Sequence, residues 1–305
     1  MNRSPGRLFL FFSVIVFLIP FSLYAANWGR LTDVVRGRFP FVFYYPEGKE
    51  KLAGEVKAII ENSSPIVASE LGLERSDTIS VFISVTERGY LNIRAGRIPE
   101  WSAGFSDTRG RILGLNMAAI LRGDRPMKEV VRHELSHLFL AQKVDYANVP
   151  VWFMEGLAMH QAGQWSLRRR MQFVEGVWKK EVPFLKDLDD GFPADAEKAR
   201  VAYSLSFMAV ERLLNSDRGD LVTLTSFTRD YGDFEKAFAL TFGMTTEEYA
   251  DQFHNYLSDH YGYLGTLLQS IPYFSGIALL MLIVYAVKRY KNYRKLKEWD
   301  RSENP

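Results

Sequence analysis

Two histidines four residues apart, His133 and His137, bracket Glu134 in the segment PMKEVVRHELSHLFLAQK, which runs from Pro126 to Lys143. A helix turns once in about 3.6 residues, so this spacing sets both imidazoles on one face, one turn apart, where both can reach one cation. Zinc suits such ligands. Imidazole and carboxylate bind it at about 2.0–2.2 Å, and a catalytic site keeps a fourth position for water. Glu134, adjacent to His133, projects near the metal without having to ligate it. It can take the proton of a metal-activated water attacking a carbonyl, then pass that proton to a leaving amine. The order H-E-x-x-H therefore encodes a hydrolytic mechanism needing one zinc ion per chain. The plainer reading is two exposed or core histidines on an ordinary helix.

Eighteen residues after His137 comes Glu155, within VPVWFMEGLAMHQ from Val149 to Gln161. Pro150 suits the start of a second helix, and the apolar Val151, Trp152, Phe153 and Met154 place this carboxylate in buried company. A buried carboxylate is costly unless it is paired or bound to metal. A third zinc ligand answers that cost; a salt bridge to Arg132 or Arg168 is the alternative.

The elements that must hold these residues are legible in outline. Phe39 to Tyr45 and Thr78 to Val85 are aromatic and β-branched runs that read as strands. Between them, Leu52, Val56, Ile59, Ile60 and Val67 recur at helical spacing, with Pro65 expected to kink or divide the helix. Ala103 to Ser106 and Arg111 to Asn116 flank the turn Asp107-Thr-Arg-Gly110 and predict a β-hairpin. In the Pro126 segment, Asp124 is a candidate cap and Pro126 suits the first turn. Val131, Leu135 and Leu138 share a face that would pack on the core and hold the metal face outward. Helices then dominate to Tyr256. The fold class is therefore α+β, with a small mixed sheet followed by a mostly helical half carrying the H-E-x-x-H helix.

H-E-L-S-H followed by W-F-M-E-G-L-A resembles the gluzincin metallopeptidases, specifically the group of bacterial proteins with a peptidase MA-like domain. The likeness extends to FVFYYPEG from Phe41, the helix ending at Leu71-Gly72, the strand at Ile79, the Ala103-Gly-Phe105 hairpin, Pro183 to Leu188, Ala202 to Leu213 and Lys236 to Thr245. It implies His133 and His137 as ligands, Glu134 as base, Glu155 as third ligand, and a peptide or protein as substrate. It also implies an edge strand along the cleft, expected at Arg111 to Asn116, that can pair with an extended peptide. Tyr203, in one of the resembling segments, is the candidate donor to the oxyanion formed during attack. His160 is expected at the surface or in a structural role, and His254 and His260 in solvent. The alternative to an enzyme is a non-catalytic binding or assembly module that keeps the metal or the groove.

Both ends add an expectation about location. Arg3 and Arg7 precede an apolar run from Leu8 to Ala26, which has the grammar of an export signal or an uncleaved anchor over residues 1–26. Ile271 to Val287 is apolar, with Leu264 to Leu268 able to extend it, tyrosines before it and KRYKNYRKLK after it. This predicts a C-terminal transmembrane helix over 264–287, a basic cytoplasmic tail over 288–305, and an extracytoplasmic domain over 27–262 on the cytoplasmic membrane. With 38 basic against 36 acidic residues the net charge is only +2, so nothing global argues for nucleic acid, and none is expected as a partner. The chain has no cysteine, which rules out disulfides, cysteine-ligated zinc and thiol catalysis. LRRRM from Leu167 to Met171 reads as solvated charge on a helix, with anionic lipid or an acidic substrate as the other possibility.

Overall fold

The computed structural model describes residues 34–93, 102–123, 125–178, 182–217 and 219–303, without the side chains of 168, 172, 178, 262–275, 278 and 292–303. The run Leu8 to Ala26 and the cap expected at Asp124 lie outside these residues. In chain order the elements are β1 (Val34–Val35), β2 (Phe41–Tyr44), α1 (Glu50–Glu70), β3 (Ile79–Ser84), α2 (Glu87–Ile93), β4 (Gly104–Asp107), β5 (Ile112–Asn116) and α3 (Met117–Arg122). Helices α4 (Met127–Lys143), α5 (Val151–Ala162), α6 (Leu167–Trp178), α7 (Ala196–Leu214), α8 (Leu221–Tyr231), α9 (Phe234–Phe242) and α10 (Thr246–Glu303) complete it.

The sheet is small and mixed, in the order β1-β2-β3-β5-β4. β2 and β3 run parallel, as do β3 and β5, because α1 carries the chain back between the first pair and β4 itself runs back between the second. β4 returns antiparallel on β5, with Asp107 opposite Ile112. The hairpin turn is closed by Asp107 Oδ1, which accepts from the Arg109 and Gly110 amides at 3.1 and 3.0 Å. The outer strand on this side is therefore β4. β5, expected at the edge, is interior, because the second strand of the hairpin is the one that pairs with β3.

α1 runs unbroken through Pro65. The expected division does not occur: the helix buries Val56, Ile60, Val67 and Ala68 on one side of that proline and the other, and this shared face holds it together. One hydrophobic core runs from Phe41 and Phe43 in the sheet, through Leu135, Leu138 and Phe139 of α4, to Leu205, Phe238 and Phe253 in the helical half. Lys143, at the end of α4, donates to the Gly72 carbonyl just past α1 at 2.8 Å, fixing α4 along α1.

The expected C-terminal transmembrane helix requires correction. Among the described residues no helix is long and apolar enough to cross a membrane. α10 does continue as helix through 264–287, with Lys288 and Arg289 following at once. The placement on the cytoplasmic membrane drawn from that helix is withdrawn with it. What stands is the α+β arrangement of a five-stranded sheet and a mostly helical remainder.

Candidate metal and catalytic site

α4 begins at its N-cap Pro126 and buries Val131, Leu135 and Leu138 completely, as their spacing predicts. The opposite face is covered rather than turned outward. It meets α5 and β4, leaving His137 only 6% and Glu134 only 8% exposed. α5 packs closely on α7 because of Gly156: a Cβ built there would overlap the Ser206 carbonyl oxygen of α7, so only glycine lets these two helices pack at this distance. Glu155, the preceding residue, faces the histidines of α4.

His133 Nε2 and His137 Nε2 are 3.2 Å apart, with Glu155 Oε2 at 3.4 Å from the first and 3.7 Å from the second. Donors bound tetrahedrally at about 2.0–2.1 Å from one ion lie roughly 3.3 Å from each other, so this triangle matches one face of such a site. The alternative is a pair of histidine–carboxylate salt bridges, which needs charged imidazoles. Burial pushes His137 down to about 4, against the pull of Glu155 and with the help of His133. At neutral pH His137 is uncharged and has a lone pair to give. Burial opposes ionisation of Glu155, but His137, His133 and Arg125 outweigh it and hold the carboxyl below its usual range. Glu155 Oε2 is buried without a hydrogen-bond partner, and an orphaned carboxylate oxygen facing two imidazole nitrogens is what a cation would satisfy. The donor set thus fits a metal ion. Among the described residues Glu155 pairs with His133 and His137 and not with Arg132, whose Nε is buried and unpartnered.

Tyr146, which the sequence did not single out, lies in a 3-10 turn over Tyr146–Asn148, and its hydroxyl is 2.8 Å from His137 Nδ1. An Nδ1–H donated to that oxygen leaves Nε2 as the lone-pair nitrogen, the tautomer that binds metal. His133 Nδ1 has no such partner among the described residues.

Glu134 points from α4 towards β4, where the Ser106 hydroxyl bonds it. Gly104 makes room: a Cβ there would stand 2.8 Å from Val130 Cγ1 and 3.1 Å from Glu134 Cγ. Burial raises Glu134 above the ordinary carboxylate range, although His133, Ser106 and Arg125 draw it down. A carboxylate with elevated proton affinity, one residue from His133, is a competent base.

Tyr203 projects from α7 and packs edge-on against Phe192, ring centroids 4.5 Å apart. It also borders the cluster, since the charges of Glu155 and Glu134 add to burial in raising its phenol pKa. The hydroxyl stays protonated and can donate. His160 faces Phe207 near the end of α5, and His260 is exposed, as expected. His254, expected in solvent, instead stacks on Phe184 at 4.5 Å. Arg169, read as solvated charge, is partly buried with its Nη1 3.8 Å from Met159 Sδ.

Residues 67–259 match the model of the peptidase MA superfamily, more than half of the 305-residue chain, and the matched span contains every residue of this cluster. No curated protein matches.

Proposed function

The chain belongs to the peptidase MA superfamily, and we propose that it is a zinc-dependent peptidase hydrolysing peptide or protein substrates. The observation that carries this reading is the triangle of His133 Nε2, His137 Nε2 and Glu155 Oε2, each edge between 3.2 and 3.7 Å, with Glu134 beside it. These three residues would hold the ion. Bound there, zinc would supply the Lewis acidity that acidifies a water and polarises a substrate carbonyl.

The protein's own groups do the rest. Glu134, its proton affinity raised by burial, takes the proton of the attacking water and delivers it to the departing amine nitrogen. Ser106 orients that carboxylate from β4. Tyr203, kept protonated by burial and by neighbouring carboxylates, donates a hydrogen bond to the oxyanion that develops on the carbonyl. Covered by α5 and β4, the site admits little bulk water, which strengthens each of these electrostatic interactions.

The test separates ligand from base. Purified full chain, Glu134→Gln and Glu155→Ala are compared for zinc per chain and for cleavage of a broad peptide library. The parent should hold one zinc and cut. Glu134→Gln should keep its zinc and lose activity by roughly 10²–10⁴-fold, whereas Glu155→Ala should lose zinc and activity together. Full activity in Glu134→Gln, or parent-like zinc retention in Glu155→Ala, overturns the assignment. Zinc binding by the parent without cleavage of any peptide favours a non-catalytic binding module.

A further inference from the structure

Among the described residues, two guanidinium groups beside the cluster have no carboxylate of their own. Arg125 directly precedes the N-cap of α4 and is exposed. Arg169, in the first turn of α6, is partly buried, and its hydrogen-bond acceptor is the thioether of Met159 at 3.8 Å. Sulfur is a weak acceptor, and a guanidinium withdrawn from water ordinarily meets an anion. Among the described residues neither arginine has a carboxylate within ion-pair distance. Glu129 feels both charges from further off, so the group of three retains a net positive charge.

Helical spacing relates Met159 and Glu129 to the cluster. Met159 lies four residues after Glu155 on α5, and Glu129 four residues before His133 on α4, so each shares a face with a cluster residue one turn away, about 5.4 Å along the axis. The charge of Arg125 reaches Glu134, Glu155 and Tyr203, and that of Arg169 also reaches Tyr203. Burial and the like charge of Arg125 bring Arg169 down to about 10, against the opposing pull of Glu129 and Tyr203.

We propose that Arg125 and Arg169 form a carboxylate-binding subsite one helical turn from the reacting centre, so that the favoured substrate carries a carboxylate flanking the scissile bond. The proposal rests on the peptidase reading above and narrows its substrate class. Arg169 supplies a planar fork partly shielded from water, and Arg125 the exposed charge that draws the anion in. A C-terminal α-carboxylate and an Asp or Glu side chain offer the same chemistry.

The test uses the full-length, zinc-loaded Glu134→Gln protein, so that peptides bind without being cut, and measures equilibrium affinity for matched peptide pairs. One pair differs in free acid against amide at the C-terminus, the other in an internal Glu against Gln. The anionic member of one pair should bind about tenfold tighter or more, and the pair that discriminates identifies the source of the carboxylate. Adding Arg169→Gln or Arg125→Gln should collapse that ratio towards one with zinc content unchanged, and Arg169→Lys should restore part of it. Equal affinity within both pairs overturns the proposal. So does a ratio that survives both arginine changes, since the metal itself would then be holding the carboxylate. If the ratio behaves as expected but the protein with Glu134 intact cuts no peptide, the subsite stands and the peptidase reading falls.

Discussion

Replacing Tyr146 by Phe removes one oxygen from the site and leaves the ring in place, edge-on to His137 with centroids 6.2 Å apart. The oxygen lost lies 2.8 Å from His137 Nδ1, and both residues are withdrawn from water, so no solvent molecule readily replaces it. In the parent the Tyr146 oxygen can accept the Nδ1–H of the tautomer that binds metal. In Tyr146→Phe the metal-free imidazole is free to carry its proton on Nε2 instead, directed at Glu155 Oε2 3.7 Å away. Binding zinc must then move that proton and leave an Nδ1–H unpaired in the interior. An unsatisfied buried donor costs about 1–3 kcal/mol, and loss of a hydrogen bond behind a metal-bound histidine weakens affinity by about 10–100-fold. These ranges overlap, so zinc affinity should fall by about that factor. The assay is competition against a chromogenic chelator at pH 7, with thermal melting of the metal-free proteins to confirm that both are folded. An affinity within twofold of the parent would refute the claim that Tyr146 sets the tautomer of His137.

Two further predictions concern packing and capping. Gly156→Ala inserts a methyl group where the Ser206 carbonyl oxygen stands; overpacking of this kind costs about 1–3 kcal/mol, so the melting temperature should drop by roughly 2–10 °C. Zinc affinity should drop with it, because a shift of α5 changes the distance of Glu155 from the histidines. Unchanged melting and unchanged affinity would show that α5 and α7 are not in tight contact. Asp220 caps α8 by accepting from the Thr223 amide at 2.9 Å, and its bonds to Thr223 hold its carboxyl below the usual value. A depressed folded-state pKa gives stability that is present above the unfolded pKa of about 3.9 and disappears as pH falls through the folded one. Asp220→Ala should therefore cost about 0.5–1 kcal/mol at pH 7, and denaturant midpoints of the two proteins should converge below about pH 4. A constant gap across that range would contradict the capping role.

What could be read from the sequence was whatever rests on local periodicity or on chemistry concentrated in a short segment. The helix over 126–143, the strands near Phe41 and Ile79 and the hairpin at Asp107 each depend on spacing, β-branched content or turn residues within a few positions, and each occurs within a residue or two of where those signals lie. His133 and His137 share the local argument. Glu155 was reached by a different route, since a carboxylate among Trp152, Phe153 and Met154 needs a partner and the nearest unsatisfied chemistry was the histidine pair. What escaped was decided by tertiary contact. Arg169, between two further arginines, carries the signal of solvated charge, yet the approach of α6 to α5 lays it over Met159. Tyr146 sits in a single 3-10 turn with no periodicity at all, and only the path from α4 to α5 swings its hydroxyl behind His137.

The same contrast explains the misplaced edge of the hairpin. Which strand of a hairpin lies at the sheet edge depends on which one finds β3, and nothing inside 103–116 encodes that choice. The answer is nevertheless functional, because an outer β4 brings Ser106 to Glu134 and lets Gly104 pass beside it. Had β5 been outermost, Glu134 would face a different backbone and its carboxylate would lack the hydroxyl that orients it. The site is thus built from one segment whose chemistry is written locally and from three neighbours, β4, α5 and the turn at Tyr146, whose contribution exists only once they are packed around it.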